Sequence, residues 1–189
     1  MIFKTSGLHG IVACALLSAA QCASAGVINF EELNGEVELE GLESTYTTQG
    51  FIFAYAPAPG EPYPSSWHSV GPSYQFNDGT TALVCNSDNA TCSIKHRNGR
   101  PFAFLAIDLA ELNGAGVETS VTFVGTTRSG KQVTHTVTLD NAAGFERFFL
   151  PPSFRNLIDV KWQQGDNVTN GTHFMDNVVM VLSDFRPAL

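Results

Sequence analysis

Strict alternation of apolar and polar residues marks the middle of the chain. Val133-Thr134-His135-Thr136-Val137-Thr138-Leu139 puts Val133, His135, Val137 and Leu139 on one face and three threonines on the other, the period of a half-buried strand. Ser120-Val121-Thr122-Phe123-Val124-Gly125-Thr126 reads as a second strand, and Arg128-Ser129-Gly130 supplies a turn between them, which predicts a β-hairpin. Further strands are expected over 50–55, 82–84, 102–109, 145–150 and 157–162. Phe102 to Leu109 is apolar on both faces and predicts a central strand covered on both sides. A short helical turn is expected at Phe154-Arg155-Asn156, after the Pro151-Pro152 break. Gly, Pro, Asn and Asp punctuate these runs and no window of a dozen residues carries a helical stripe, so the expected fold is an all-β antiparallel sandwich.

The stretch from His173 to Leu182 carries one carboxylate, Asp176, among apolar residues. Its expected neighbour is Val27-Ile28-Asn29-Phe30-Glu31-Glu32, so that the first and last strands of the sandwich lie side by side.

Residues 1–25 break the pattern. Lys4, the apolar run Ile11 to Leu17 and Ala23-Ser24-Ala25 have the order of a signal peptide with cleavage before Gly26. The run is short of the roughly 20 residues that span a bilayer. The chain is therefore expected to be secreted and extracellular, with residues 26–189 forming one domain. Without Lys4, nine Lys and Arg remain of ten, against eighteen Asp and Glu. Nucleic acid is a poor partner for such a surface, because phosphate binding needs clustered cations, and no later segment predicts membrane insertion.

Cys85 and Cys92 are the two cysteines beyond the signal segment, at the ends of the polar loop 86–91. In an oxidising compartment a disulfide across that loop is expected; a metal or redox role is the alternative, although no Cys-x-x-Cys is present. Asn89, Asn167 and Asn170 head N-glycosylation sequons, of consequence in a eukaryotic secretory pathway.

Candidate binding chemistry concentrates in the proline-rich stretch 55–74, where Tyr55, Tyr63, Trp67, His68 and Tyr74 offer flat rings with polar edges. Sugar rings stack on such faces, and loops often carry binding residues. The alternative is that these aromatics fold back and cap an open end of the sandwich. Trp162 and His135 fall on the apolar faces of their strands and are expected in the core. His173, near Asp176, stands apart from the other histidines.

Taken together, Ile28-Asn29-Phe30-Glu31, Phe104-Leu105-Ala106-Ile107-Asp108, Phe145 to Pro151 with Phe154 and Leu157, and Phe174-Met175-Asp176-Asn177-Val178-Val179 resemble secreted jelly-roll domains. These are the galactose-binding-like sandwiches that include many carbohydrate-binding modules, and similar domains of bacterial exported proteins with a Pro-Glu-Pro sorting tail; that tail is absent from Ser183 to Leu189. The resemblance implies a jelly-roll topology, a polysaccharide or cell-surface glycan as partner, and a structural calcium where the first and last strands meet. On this chain the matching metal positions are Glu31 or Glu32, together with Asp176 and backbone carbonyls, and calcium suits such oxygen ligands.

No motif selects catalytic residues. The carboxylates Glu31, Glu32, Asp108, Glu146, Asp159 and Asp176 include no spacing that marks an acid–base pair, and Gly-x-Ser-x-Gly and His-Glu-x-x-His are absent. The expected function is a secreted non-catalytic carbohydrate-binding module. Alternatives are an extracellular matrix or host-interaction protein without a small ligand and a glycan-active hydrolase.

Overall fold

A computed structural model describes residues 26–33, 40–42, 44–60, 67–72, 79–112, 118–166 and 168–183. Among them are thirteen strands: β1 (Gly26–Ile28), β2 (Glu40–Gly41), β3 (Thr45–Thr48), β4 (Phe51–Ala56), β5 (Trp67–Val70), β6 (Ala82–Cys85), β7 (Thr91–His96), β8 (Phe102–Glu111), β9 (Ser120–Thr127), β10 (Gln132–Thr138), β11 (Glu146–Phe149), β12 (Leu157–Gln163) and β13 (His173–Leu182). All their pairings are antiparallel.

Sheet one runs β2-β5-β6-β13-β8-β11, with β1 also paired to β13; sheet two runs β10-β9-β12-β7-β4-β3. One pairing, Leu157 with Phe102, joins the two. The first and last described strands lie side by side as expected, with Gly26 opposite Met180 and Ile28 opposite Val178. The 120–138 hairpin is also present, in continuous register from Gln132↔Thr126 to Thr138↔Ser120.

Inward side chains from both sheets form the main core. Three edge-on aromatic contacts cross between the sheets: Phe104 with Phe123 at 5.5 Å, Phe51 with Phe102 at 5.4 Å, and Tyr55 with Trp67 at 6.3 Å between ring centroids. Each such pair adds about 0.5–1.5 kcal/mol beyond the area it buries. Within sheet two, Gly125 lets side chains of the neighbouring strands close over β9: a Cβ there would stand 2.7 Å from Leu157 Cδ2 and 3.1 Å from Val133 Cγ2. A smaller apolar cluster of Val70, Ala82, Val84, Ala110 and Phe174, with Leu112 and Phe145 against it, covers part of the outer face of sheet one. β8 is thus buried on both faces, as its continuous apolar run predicts.

Two expectations change. The stretch 55–74 is not one loop, because Trp67–Val70 is a strand between β6 and β2; alternate burial of Trp67 and Ser69 drives it into sheet one. The helical turn lies at Pro152–Phe154, two residues early, with Pro152 leading it. Proline's fixed φ suits the first position of a helix and its missing N–H goes unused there.

Candidate functional site

The aromatic stretch does not assemble into one platform. Trp67 is 0% exposed and its indole is covered in the core against Tyr55; this corrects its expected place on a ligand surface, because an indole this apolar gains more by closing the space between the sheets. Tyr55 is half-buried beside it. His68 follows Trp67 on β5 and so points to the opposite face of sheet one. There it is half-buried, and burial holds its imidazole below the ordinary histidine range. Tyr63 and Tyr74 lie outside the described residues.

A different surface is built by register. On the outer face of sheet two, Thr136 stands opposite Thr122, Asp159 opposite Thr126, and Lys161 opposite both Val124 and Ser93. Lys95 stands opposite Ile52, and Thr47 opposite Ile52 on its other side. Thr136, Thr122, Lys161, Lys95 and Thr47 are exposed. Thr122 and Thr136 share a 2.8 Å hydroxyl contact, as do Ser120 and Thr138. Asp159 lies between the lysines, 3.7 Å from Lys161 Nζ. Its carboxyl is raised by burial, and Lys161 and Lys95 oppose that rise. Sequence reading found the threonine face of β10; it missed the lysines, which only strand pairing aligns with it.

The carboxylates where β1 meets β13 form a clasp. A bulge in β13 between Asp176 and Val179, with Asn177 at φ 45°, turns successive side chains toward the same place. Asp176 faces Asp108 across β13 and β8, and Asp108 faces Arg147 across β8 and β11. Arg147 grips Asp108 with two bonds, Nε to Oδ1 at 2.7 Å and Nη2 to Oδ2 at 2.9 Å. Asn177 Nδ2 donates to Asp108 Oδ2 and to Asp176 Oδ2, both at 3.0 Å. Thr80 Oγ1 and the Asn177 N–H also donate to Asp176, and the Thr81 N–H donates to Glu31. Burial pushes the Asp176 carboxyl up to about 7; the bonds from Asn177 and Thr80 pull it down, while Glu31 and Asp108 add to the rise.

Of the candidate calcium ligands, Glu31 and Asp176 therefore share a site. Glu32 does not join them: it accepts Tyr46 Oη at 2.5 Å and Thr48 Oγ1 at 2.8 Å, because adjacent residues of the 3-10 turn 31–33 diverge. The donor set does not suit a cation at Asp108 and Asp176, since the Asn177 amide bridges them and donors meet both oxygens of each, while Glu31 accepts the Thr81 N–H at Oε1. Neither is the clasp an acid–base pair for a substrate, although a raised Asp176 beside an Arg-held Asp108 has that chemistry. At 1% exposure, Asp176 offers no oxygen to a ligand. His173 is likewise fully buried, and desolvation pushes its imidazole down to about 4 against a backbone contact with Gly171.

Cys85 and Cys92 are buried thiols at facing ends of β6 and β7, one in each sheet. Burial and the neighbouring Cys85 sulfur push the Cys92 thiol well above its ordinary value. Among the sequons, Asn89 is exposed and left-handed at φ 55°. Asn170 is half-buried and its amide closes two bonds on the Ser120 main chain, at 2.7 and 2.9 Å. Asn167 lies outside the described residues.

These features define an antiparallel β-sandwich with a polar outer face on one sheet and a hydrogen-bonded carboxylate clasp in the other. No family model matches the chain, and no curated protein matches it. Among solved structures, it is similar to a point mutant of a family 29 carbohydrate-binding module made to probe ligand recognition (TM-score 0.46, 13% identity, 84% of this chain and 85% of that one). It is also similar to a second structure of that family (0.45, 11%, 84% and 88%) and to a family 29 module from Piromyces equi (0.44, 13%, 89% and 96%). With TM-scores under 0.5 these likenesses carry no argument, and the fold rests on the strand pairing above.

Proposed function

We propose that this chain is an exported, non-catalytic binding module that takes a glycan on the outer face of sheet two. The observation that carries the reading is the row of hydroxyl, ammonium and carboxylate groups held in register from β10 to β3. Sugar hydroxyls both donate and accept, and such a row supplies both on a rigid surface. Tyr63 and Tyr74 are retained as candidates to stack on a sugar ring. Calcium is not assigned to Glu31 and Asp176. Retention of the protein on a panel of polysaccharides in native affinity gels tests the reading: Lys95→Ala with Lys161→Ala abolishes retention while Tm is unchanged. Retention that survives in the double variant sinks the sheet-two assignment.

Burial of Trp67 favours a second reading, a matrix or host-interaction protein that uses the sandwich as a platform without a small ligand. The absence of retention on every polysaccharide would select it.

In an oxidising compartment we propose that Cys85 and Cys92 close into a disulfide that ties the two sheets, stabilising them by about 2–3 kcal/mol for so short a loop. Intact mass of the exported protein, before and after reduction and alkylation, reads this directly. Two thiols that alkylate without reductant would refute it.

A further inference from the structure

We propose that Glu111, Asp140 and Glu146 form a calcium site at the end of sheet one, separate from the clasp. One oxygen from each of the three lies within 4.8 Å of the others. Glu111 closes β8, Glu146 opens β11 opposite Leu109, and antiparallel pairing makes Glu146 the diagonal neighbour of Glu111. The connection from Leu139 to Phe145 brings Asp140 over both, turning through Asn141 at φ 60° and Gly144 at φ 104°.

The cluster lacks the donors that satisfy the clasp. Main-chain N–H groups meet one oxygen of each residue: Asn141 to Glu111 Oε1, Asp140 to Glu146 Oε1 and Ala142 to Asp140 Oδ1, all at 2.8 Å. Among the described residues no ion pair reaches any of the three. Glu111 is 5% exposed, and its Oε2 is buried without a hydrogen-bond partner. An unpaired buried carboxylate oxygen is costly, and a cation is the group that would meet it together with its two acidic neighbours. Burial and the charges of Asp140 and Glu111 also raise the Glu146 carboxyl.

The chemistry selects the ion. Three carboxylates and no His or Cys disfavour zinc and other soft or borderline metals. Calcium accepts six to eight oxygens in irregular geometry, so carboxylates, loop carbonyls and water can complete its shell, whereas magnesium demands near-ideal octahedral order.

Isothermal calorimetry and thermal melts of the purified protein, with calcium, with magnesium and with chelator, test the site. One calcium per chain and a calcium-dependent rise in Tm are expected, with magnesium at least about tenfold weaker. Asp140→Asn and Glu146→Gln, both outside the core, each weaken calcium by about tenfold or more. Asp176→Asn leaves it unchanged. No uptake at about 10 mM calcium, beyond the millimolar range of extracellular modules, overturns the proposal. So does uptake that survives Asp140→Asn with Glu146→Gln, or uptake lost in Asp176→Asn. The glycan reading plays no part in any of these outcomes.

Discussion

Two carboxylate triads share β8 and differ in what faces them. Glu31, Asp108 and Asp176 meet a guanidinium, a side-chain amide, a hydroxyl and two main-chain N–H groups. Glu111, Asp140 and Glu146 meet three main-chain N–H groups and no cation among the described residues. The count of carboxyl groups is the same in each. Donors, rather than acidity, decide whether a carboxylate cluster is a structural knot or a place for an ion, because buried charge must be met by something.

The sharpest way to break the comparison is to titrate Asp176. Its folded pKa, about 7, stands above the unfolded value near 3.8. Between those values the native protein holds a proton that the unfolded chain has released. The group's contribution to stability is therefore intact below about pH 4 and is lost as pH rises through 7. Asp176→Asn cannot titrate, so its stability relative to the parent rises over that window by up to about 1.4 kcal/mol per pH unit. Urea unfolding of both proteins at each pH measures the gap, and parallel curves would show that Asp176 is ionised throughout. Next in size is Arg147→Ala, which leaves Asp108 beside Asp176 without its bidentate partner; a loss of about 2–3 kcal/mol at pH 7 is expected. An unchanged urea midpoint would mean that solvent compensates Asp108 as well as Arg147 does, and the contrast with the second triad would fall.

Much of the fold was legible because burial on one face writes a period of two into the sequence. The 120–138 hairpin follows from it, whereas β8 shows as a run apolar on both faces. β5 was hidden in a proline-rich context, where Trp67 reads as a loop aromatic although its size commits it to the core. β7 was hidden differently: its inward residues are Cys92, Ile94 and His96, and only one of those reads as apolar at a glance. The pairing of Glu31 with Asp176 could be anticipated from the meeting of the strands. The divergence of Glu32 depends on a single 3-10 turn, which nothing in Glu31-Glu32-Leu33 announces. The second triad left no local trace, since β11 must find β8 before Glu111 and Glu146 become neighbours.

The pairing of Gly26–Ile28 with Val178–Met180 also has a meaning in time. β13 is synthesised after every other strand described, yet it holds β1, β6 and β8 together. At ordinary elongation rates the first of these waits on the order of ten seconds for its partner. For the later part of that interval β8 lacks its β13 neighbour, and closure over a separation as long as that of β1 from β13 is intrinsically slow. Until β13 emerges, sheet one of the nascent chain is incomplete, and is exposed for that period to whatever chaperone or transport machinery meets it first.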